Sequence, residues 1–474
     1  MMRQIVPMIF ALALVTFPFG LSSAQPSDSN DRGDAAPLRP HTRPPGSLLT
    51  RQEAIRIGLA QHPLIERSRS ASMVAKALSQ QTQGELYPWL EASIAESSGS
   101  LRIVTADGKI VHDRGGHGFD PGGALAKHNQ NMLTGGLLLN QLITDFGYTA
   151  HRLLANKANE AASEKDILTN KAFVILSVQK AYLNCLLQQS LITIASETVK
   201  RRMVIRDLVQ ALYKNQLKSK VDLDLVLVEV SNAELALIRA QNDLKQAFAG
   251  LNNAMGVEGP GHYELEKLSV AVSEEPDPKS LLEAGLKDRP ELLGNRDRVV
   301  ASEELLKAAK ALNFGSVTAV GTIGATKYWD VHDNGLHDNE VAPLWGGGAT
   351  AKFPIFTGFR IQNQVKEAGH RRGETEQEFE NLANEVVLQI VRAYLALVTN
   401  AGQIALELDR VAFAKEALTL AEERYRLGLN PIIEVIRATA VLFEAESRLT
   451  EARYIYKTSE AVVAYATGQD YQRY

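Results

Sequence analysis

Apolar residues recur every seven positions over long stretches of the chain, a pattern that predicts long helices packed side by side. In the first half the series is Val178, Cys185, Ile192 and Val199, and in the second half it is Ile390, Leu397, Ile404, Val411, Leu418 and Tyr425. We expect one long helix at 147–214 and its counterpart at 358–427. At 1.5 Å per residue, each would be about 100 Å long.

A second heptad helix follows each long helix after a short turn. Its apolar column is Leu223, Val230, Leu237, Leu244 and Leu251 in the first half, and Val435, Leu442, Leu449, Tyr456 and Val463 in the second. Three residues beyond each of these positions lies a column of mostly small residues, which lets helix backbones approach closely. Each half is therefore predicted to contain a long helical hairpin.

Segments with a period of two predict β-strands before each hairpin. Alternating apolar positions in the second half are Val317, Ala319, Gly321, Ile323 and Ala325, and the first half has Leu90, Ala92 and Ile94 at matching places. Returning strands are predicted at about 131–143 and 347–356. Segments of about ten alternating residues have the length of a membrane-spanning barrel strand. The strand pairs are expected within 88–143 and 314–356.

The chain is predicted to be an internal duplication. The segment Leu59-Ala-Gln-His-Pro63 matches Leu286-Lys-Asp-Arg-Pro290, and further on Tyr213 matches Tyr425 at a spacing of 212 residues. Each repeat opens with a helix interrupted near its proline, at about 50–86 and 278–312. The predicted division is a first repeat at 47–256, a linker at 257–277, a second repeat at 278–468 and a C-terminal tail at 469–474.

The N-terminal segment has the layout of a secretory signal. A basic start precedes an apolar stretch from Ile5 to Leu21 and small residues before Gln25, so we expect a signal peptide at 1–24. A proline-rich flexible leader is expected at 25–46. Cys185 is the one cysteine, which leaves no lipid-anchoring cysteine at the cut and predicts a buried, apolar role for Cys185.

Composition excludes several function classes. The net charge of -4 and the pI near 6.3 give no support to nucleic-acid binding. We found no phosphate loop, nucleophile elbow or metal-binding helix motif, so no enzymatic activity, cofactor or metal is expected. Histidines in the predicted outer loops, at His112, His117, His128, His332 and His337, are interpreted as solvated loop residues rather than metal ligands.

Four strands cannot close a barrel, and an open sheet in lipid leaves unpaired backbone groups that cost several kcal/mol each. The predicted strands therefore require oligomerisation. After the signal, no uninterrupted run of 18 or more apolar residues predicts a membrane-spanning helix. Three copies would supply twelve strands and twelve helical segments. The fold class predicted is mainly α with a β-barrel part.

The chain resembles the TolC family of outer-membrane efflux and secretion proteins. The resemblance is carried by Leu49-Thr-Arg-Gln-Glu-Ala-Ile55, Gln141-Leu-Ile-Thr-Asp-Phe-Gly147, Phe353-Pro-Ile-Phe-Thr-Gly358, Tyr425-Arg-Leu-Gly-Leu-Asn430 and Ala466-Thr-Gly468. It covers nearly all of the chain after the signal. The resemblance implies a homotrimer with a barrel in the outer-membrane lipid and a helical tunnel in the periplasm. It also implies docking onto a periplasmic adaptor protein and an inner-membrane transporter.

The hairpin turns are the predicted functional regions: the first tip, residues 213–220, and the second tip, residues 425–430. The expected adaptor contacts are Gln216, Leu217 and Lys218 on the first tip, and Gly428, Leu429 and Asn430 on the second. The first tip lacks the glycine that Gly428 supplies to the second. Glycine at that place predicts a helix-ending conformation.

The expected periplasmic gate consists of Glu434, Arg437 and Asp222. In the resembled family, acidic rings commonly follow the second tip; here Glu434 occupies one such position and Arg437 the other. Threefold symmetry would bring these charges around one axis, where they pair within or between chains. The alternative interpretation is that Glu434 and Asp222 only complement the positive ends of their helices.

Three functions compete at this point. The leading one is a passive exit duct of a tripartite efflux pump or a type I secretion system; the others are a periplasmic adaptor and a purely structural envelope coiled coil. Adaptors usually have one hairpin, whereas this chain has two with membrane-type strands. Aromatic residues that flank the strands belong either to membrane-interface belts or to strand-end packing; they are Trp89, Tyr328, Trp329 and Trp345. The cargo is not encoded in any motif.

Overall fold

The computed structural model describes residues 48–101, 128–259, 263–266, 268, 270–330 and 341–469. The expected signal peptide, the leader up to residue 46 and residues 470–474 of the expected tail lie outside the described residues. So do His112, His117, His332 and His337.

The two halves contain the same helices and strands in the same order, and the second half has a short 3-10 turn in addition. The elements of the first half are β1 (Leu48–Leu49), α1 (Arg51–Gln61), α2 (Pro63–Gly84), β2 (Trp89–Leu101), β3 (His128–Thr144), α3 (Tyr148–Lys214) and α4 (Lys220–Met255). Those of the second half are β4 (Glu264–Leu265), α5 (Pro278–Asp288), α6 (Pro290–Ala311), a 3-10 turn (Leu312–Phe314), β5 (Ser316–Asp330), β6 (Val341–Lys352), α7 (Arg360–Arg426) and α8 (Ile432–Ala466). Both long helices, α3 and α7, have 67 residues.

Prolines divide the opening helix of each repeat, as predicted. Pro63 and Pro290 occupy the first positions of α2 and α6, where a missing backbone N–H costs nothing. At the first break the side chain of His62 caps α2, because its Nδ1 accepts the backbone N–H of Leu64 at 3.1 Å. Each repeat therefore begins with two helices joined at an extended residue.

Both ends of one strand were predicted wrongly. The returning strand of the second repeat runs over Val341–Lys352 rather than 347–356. The residues after Lys352 leave the sheet, and Pro354 among them has no backbone N–H to continue a strand ladder. The alternating apolar residues Phe353 and Ile355 therefore belong to the connection to α7.

The four long strands form one antiparallel sheet in the order β2-β3-β5-β6. The central β3–β5 pairing joins the two repeats, and in it Gly136 lies opposite Gly324. The backbones approach so closely there that a Cβ on Gly324 would lie 2.3 Å from the carbonyl oxygen of Gly135. Among the described residues, the outer edges of β2 and β6 have no strand partner.

A short parallel pairing of β1 with β4 was not predicted; it links the start of the first repeat to the segment after α4. The Tyr182 hydroxyl fixes it, donating to the carbonyl oxygen of Leu49 at 2.9 Å, and the carbonyl oxygen of Glu266 lies 3.3 Å away. Burial is the main cause that raises the pKa of Tyr182 to about 12. Its repeat mate Tyr394 donates to Glu275 at 2.5 Å, so both tyrosines attach the middle segments to a long helix.

The heptad columns form the helical core. One buried cluster joins the second hairpin to the part of the first hairpin near its tip. Another packs α1 against α3 and α4 around Cys185, which is fully buried as predicted. The two hairpins meet through α3 and α8, where Arg201 donates to both carboxylate oxygens of Glu446 at 3.0 and 3.3 Å. Within the described residues one helix, α7, also has an 18-residue window of mean hydropathy 1.4, long and apolar enough to cross a membrane by composition alone.

Candidate functional site

The second tip ends α7 with a glycine in the left-handed conformation, as predicted. Gly428 has φ 74°, its N–H donates to the carbonyl of Tyr425, and the N–H of Leu429 donates to Arg424 at 2.8 Å. This pair of reversed hydrogen bonds is the Schellman arrangement, which pairs the last carbonyls of a helix. The chain then turns at Pro431 and α8 begins at Ile432.

The first tip makes the same turn without glycine. Gln216 takes the left-handed conformation with φ 62°, and the N–H of Leu217 donates to Leu212 at 2.8 Å. A side chain in this conformation costs about 1–2 kcal/mol. The backbone turn of the first tip is therefore the same as that of the second, although it has no glycine, and the conformation is strained at Gln216.

The expected adaptor contacts fall into two groups. Leu217 and Leu429 project from the two tips with 68% and 66% of their surface exposed, and the unpredicted Leu427 is equally exposed. Asn430 is only 6% exposed. Its Nδ2 donates to Glu434 Oε2 at 2.8 Å and lies 3.4 Å from the carbonyl oxygen of Ala421. Asn430 therefore shapes the second tip from inside rather than presenting itself at the apex.

Asp222 and Glu434 lie in the first turns of α4 and α8, and Arg437 lies one turn further along α8. Glu434 and Arg437 are both exposed, and no ion pair joins them within the described part of this single chain. Glu434 instead accepts the hydrogen bond from Asn430. Asp222 donates its backbone N–H to Ser219, the cap of α4. The pairing of Glu434 with Arg437 stays a prediction.

The residue that joins the two tips is Tyr425, which the sequence analysis did not select. Its side chain is 1% exposed, and the ammonium of Lys218 lies 4.5 Å from the centre of its ring. Burial, and then the nearby Asp222 carboxylate, raises the pKa of Tyr425 to about 12, so the phenol stays neutral at physiological pH. The buried hydroxyl has no hydrogen-bond partner among the described residues. Tyr425 is the last member of the α7 heptad series, and that position could have predicted its burial from the sequence.

At the opposite end, aromatic residues gather where the strands meet the helices. The ring of Phe146 lies 6.0 Å from that of Phe314 and 6.2 Å from that of Phe353. Trp89 and Trp345 are exposed on the strands. The side chains of Tyr328 and Trp329 lie outside the described residues, and the assignment of these aromatics to a membrane belt stays a prediction. No group of three or more metal-ligating side chains occurs in the described part of the chain.

Two repeats of a strand pair and a helical hairpin, sharing one four-stranded sheet, define the class of TolC-like channel protomers. The family model for outer membrane efflux proteins matches residues 54–257 and 281–469, so the chain belongs to that family. The resemblance to the TolC family is thereby confirmed. The protein is a component of the cell outer membrane with its helical part in the periplasm.

Individual relatives are distant in sequence and similar in fold. Outer membrane protein TolC of Escherichia coli K12 is 25% identical over 370 residues, which cover 72% of this chain and 70% of TolC. The outer membrane efflux protein BepC of Brucella suis is 22% identical over 344 residues, covering 71% and 72%. The structure of VceC from Vibrio cholerae superposes with a TM-score of 0.72 at 17% identity, covering 88% of this chain and 96% of VceC.

Proposed function

We propose that this chain forms a homotrimeric exit duct that passively conducts substrates from a periplasmic adaptor and inner-membrane transporter to the cell exterior. The observation that carries the proposal is the four-stranded sheet with two unpartnered edges, β2 and β6. Antiparallel strands with free edges pair with further strands, and in lipid each unpaired backbone group costs several kcal/mol.

Pairing β6 of one copy with β2 of the next satisfies both edges at once. Three copies then close a barrel of twelve strands, and the same threefold axis arranges the six hairpins as a tunnel below it. A closed ring follows from one repeated heterologous contact. Membership of the efflux family supports efflux as the leading form of this function. Secretion of proteins through the same duct is the second form, and the shape of the protein is compatible with both.

Mass in a mild detergent tests the assembly, and conductance in a planar bilayer tests the duct. We expect the mass of a trimer. We also expect a low single-channel conductance while the tips are closed and a higher one when they open. A monodisperse monomer with intact helicity would contradict the assembly. A trimer that never conducts, even with the tips cut away by protease, would contradict the duct.

The tips support the proposal of a gate at the periplasmic end. Tyr425 contacts Lys218 of the first tip and lies near Asp222 of α4, while Glu434 and Arg437 are exposed on α8. Pairs of partly solvated charges contribute about 0.2–1 kcal/mol each. The buried tyrosine thus holds each pair of hairpins together, and the exposed charges are left to bias the contact between chains toward closure.

The exposed leucines support the proposal that both tips dock onto the adaptor. Leu217, Leu427 and Leu429 present apolar surface at the apex, where burial against a partner releases about 25 cal/mol per Å². A photo-reactive or thiol cross-linker attached at Leu429→Cys is expected to capture the adaptor in cells. Leu406→Cys is the matched control, because it is as exposed but lies about 35 Å further along α7.

Capture at both positions, or labelling of Leu429→Cys by a reagent that stays outside the cell, would contradict tip docking. The buried Cys185 does not disturb the experiment, because burial raises the pKa of its thiol to about 12 and keeps it unreactive.

A further inference from the structure

The buried ring of Tyr425 and the residues around it, here called the seat of Tyr425, come from the two different repeats of one chain. Tyr425 belongs to the end of α7, in the second repeat, whereas Lys218 and Asp222 belong to the first tip and the start of α4. The ring is fully enclosed and lies under the Lys218 ammonium. This contact is therefore a junction between neighbouring hairpins of unlike repeats.

The internal repeat defines a second junction of the same form. Adding or subtracting 212 carries Tyr425 onto Tyr213, Lys218 onto Asn430 and Asp222 onto Glu434. The backbones at these places match, since Gln216 and Gly428 take the same left-handed turn. The equivalent contact would place Tyr213 against the second tip, beside Asn430 and Glu434.

Within one chain this second contact is not made. Tyr213 is 39% exposed, against 1% for Tyr425, and its side chain makes no hydrogen bond, ion pair or ring contact among the described residues. Asn430 keeps a buried Oδ1 without a partner. In a ring of alternating repeats, the first hairpin of each copy lies beside the second hairpin of its neighbour, which brings this half-exposed tyrosine to that tip.

We infer that Tyr213 of one copy packs on the second tip of the neighbouring copy, against Asn430 and Glu434, and forms the contact that closes the duct between chains. The inference rests on the proposed trimer. It gives each trimer six tyrosine seats, three within chains around Tyr425 and three between chains around Tyr213. Glu434 thereby gains an aromatic ring from another chain as its neighbour.

The two kinds of seat differ in strength. The seat of Tyr425 has the ammonium of Lys218 over the ring, and a cation over an aromatic face is attractive. The seat of Tyr213 has the neutral amide of Asn430 in the matching place. Opening therefore begins at the contacts between chains, and full opening also separates the Tyr425 contacts within each chain.

Cross-linking distinguishes the two seats by the size of the product. A bismaleimide that spans about 10 Å, longer than a disulfide permits, is applied to the trimer carrying Tyr213→Cys with Glu434→Cys. We expect covalent dimers and trimers on a denaturing gel. The matched pair Tyr425→Cys with Asp222→Cys is expected to link within one chain and to run as a monomer.

A protein that purifies as a trimer but yields only monomeric products from the Tyr213 and Glu434 pair would overturn the inference and leave the duct intact. A protein that is monomeric before the reagent is added would overturn the proposed duct itself. A second measurement uses conductance: Tyr213→Ala is expected to raise the open fraction several-fold and Tyr213→Phe to conduct like the parent. Equal conductance of Tyr213→Ala and the parent would also overturn the inference.

Discussion

Gly324→Ala is expected to abolish assembly in the outer membrane. The added Cβ would lie 2.3 Å from the carbonyl oxygen of Gly135 and 2.7 Å from the Cα of Gly136, both of them backbone atoms that no side-chain rotation moves. The β3 and β5 strands must therefore separate where they join the two repeats. Lost ladder hydrogen bonds in lipid cost several kcal/mol each, so no trimer is expected in the outer-membrane fraction.

Gly321→Ala is the matched control. It adds the same methyl group to the same strand, but its nearest neighbour is the Cβ of Leu139 at 3.8 Å, an ordinary contact. This variant is expected to assemble like the parent. Trimers of normal yield and heat resistance from Gly324→Ala would show that the close approach of β3 and β5 is not required.

Tyr425→Ala is expected to give the largest increase in conductance of any single change at the tips. Removing a fully buried aromatic side chain costs about 3–5 kcal/mol. If a third of that free energy stabilises the closed arrangement relative to the open one, its loss raises the open fraction about tenfold per chain. Single-channel recording and sensitivity of cells to large antibiotics measure the effect. Glu434→Ala and Arg437→Ala remove exposed charges and are expected to do the same to a smaller extent.

Tyr425→Phe separates packing from the hydroxyl. Because the buried hydroxyl has no hydrogen-bond partner among the described residues, its removal is expected to leave closure unchanged or slightly stronger. A Tyr425→Phe channel as open as Tyr425→Ala would mean that the hydroxyl, through Asp222, holds the tips together instead of the ring.

The helices were predictable because their cause is local and periodic. The heptad series from Ile390 to Tyr425 and its mate from Val178 to Val199 predicted α7 and α3, and the predicted ends of both helices lie within two residues of the observed ones. The prolines at 63 and 290 marked the helix breaks for the same reason. The alternating strands were also found, but the end of β6 was missed because Phe353 and Ile355 continue the apolar alternation beyond the ladder.

The tips were less predictable because their contacts join residues far apart in the chain. The burial of Asn430 depends on α8 turning back over α7, and the covering of Tyr425 by Lys218 depends on how two hairpins meet. No local sequence pattern predicts either of these two contacts. The left-handed Gln216 shows the reverse case, in which the fold imposes a conformation that the residue itself disfavours.

The length of α3 and α7 gives the molecule mechanical leverage. Tyr182 anchors α3 to the middle segments, and from there to Lys214 the helix runs about 48 Å without another hydrogen bond to the described residues of those segments. A tilt of about 10° at that pivot sweeps the tip through roughly 8 Å, given this arm and 1.5 Å per residue. In the proposed duct, a small tilt imposed near the apex would thus widen the opening considerably, while the pivot and the sheet above it would move little.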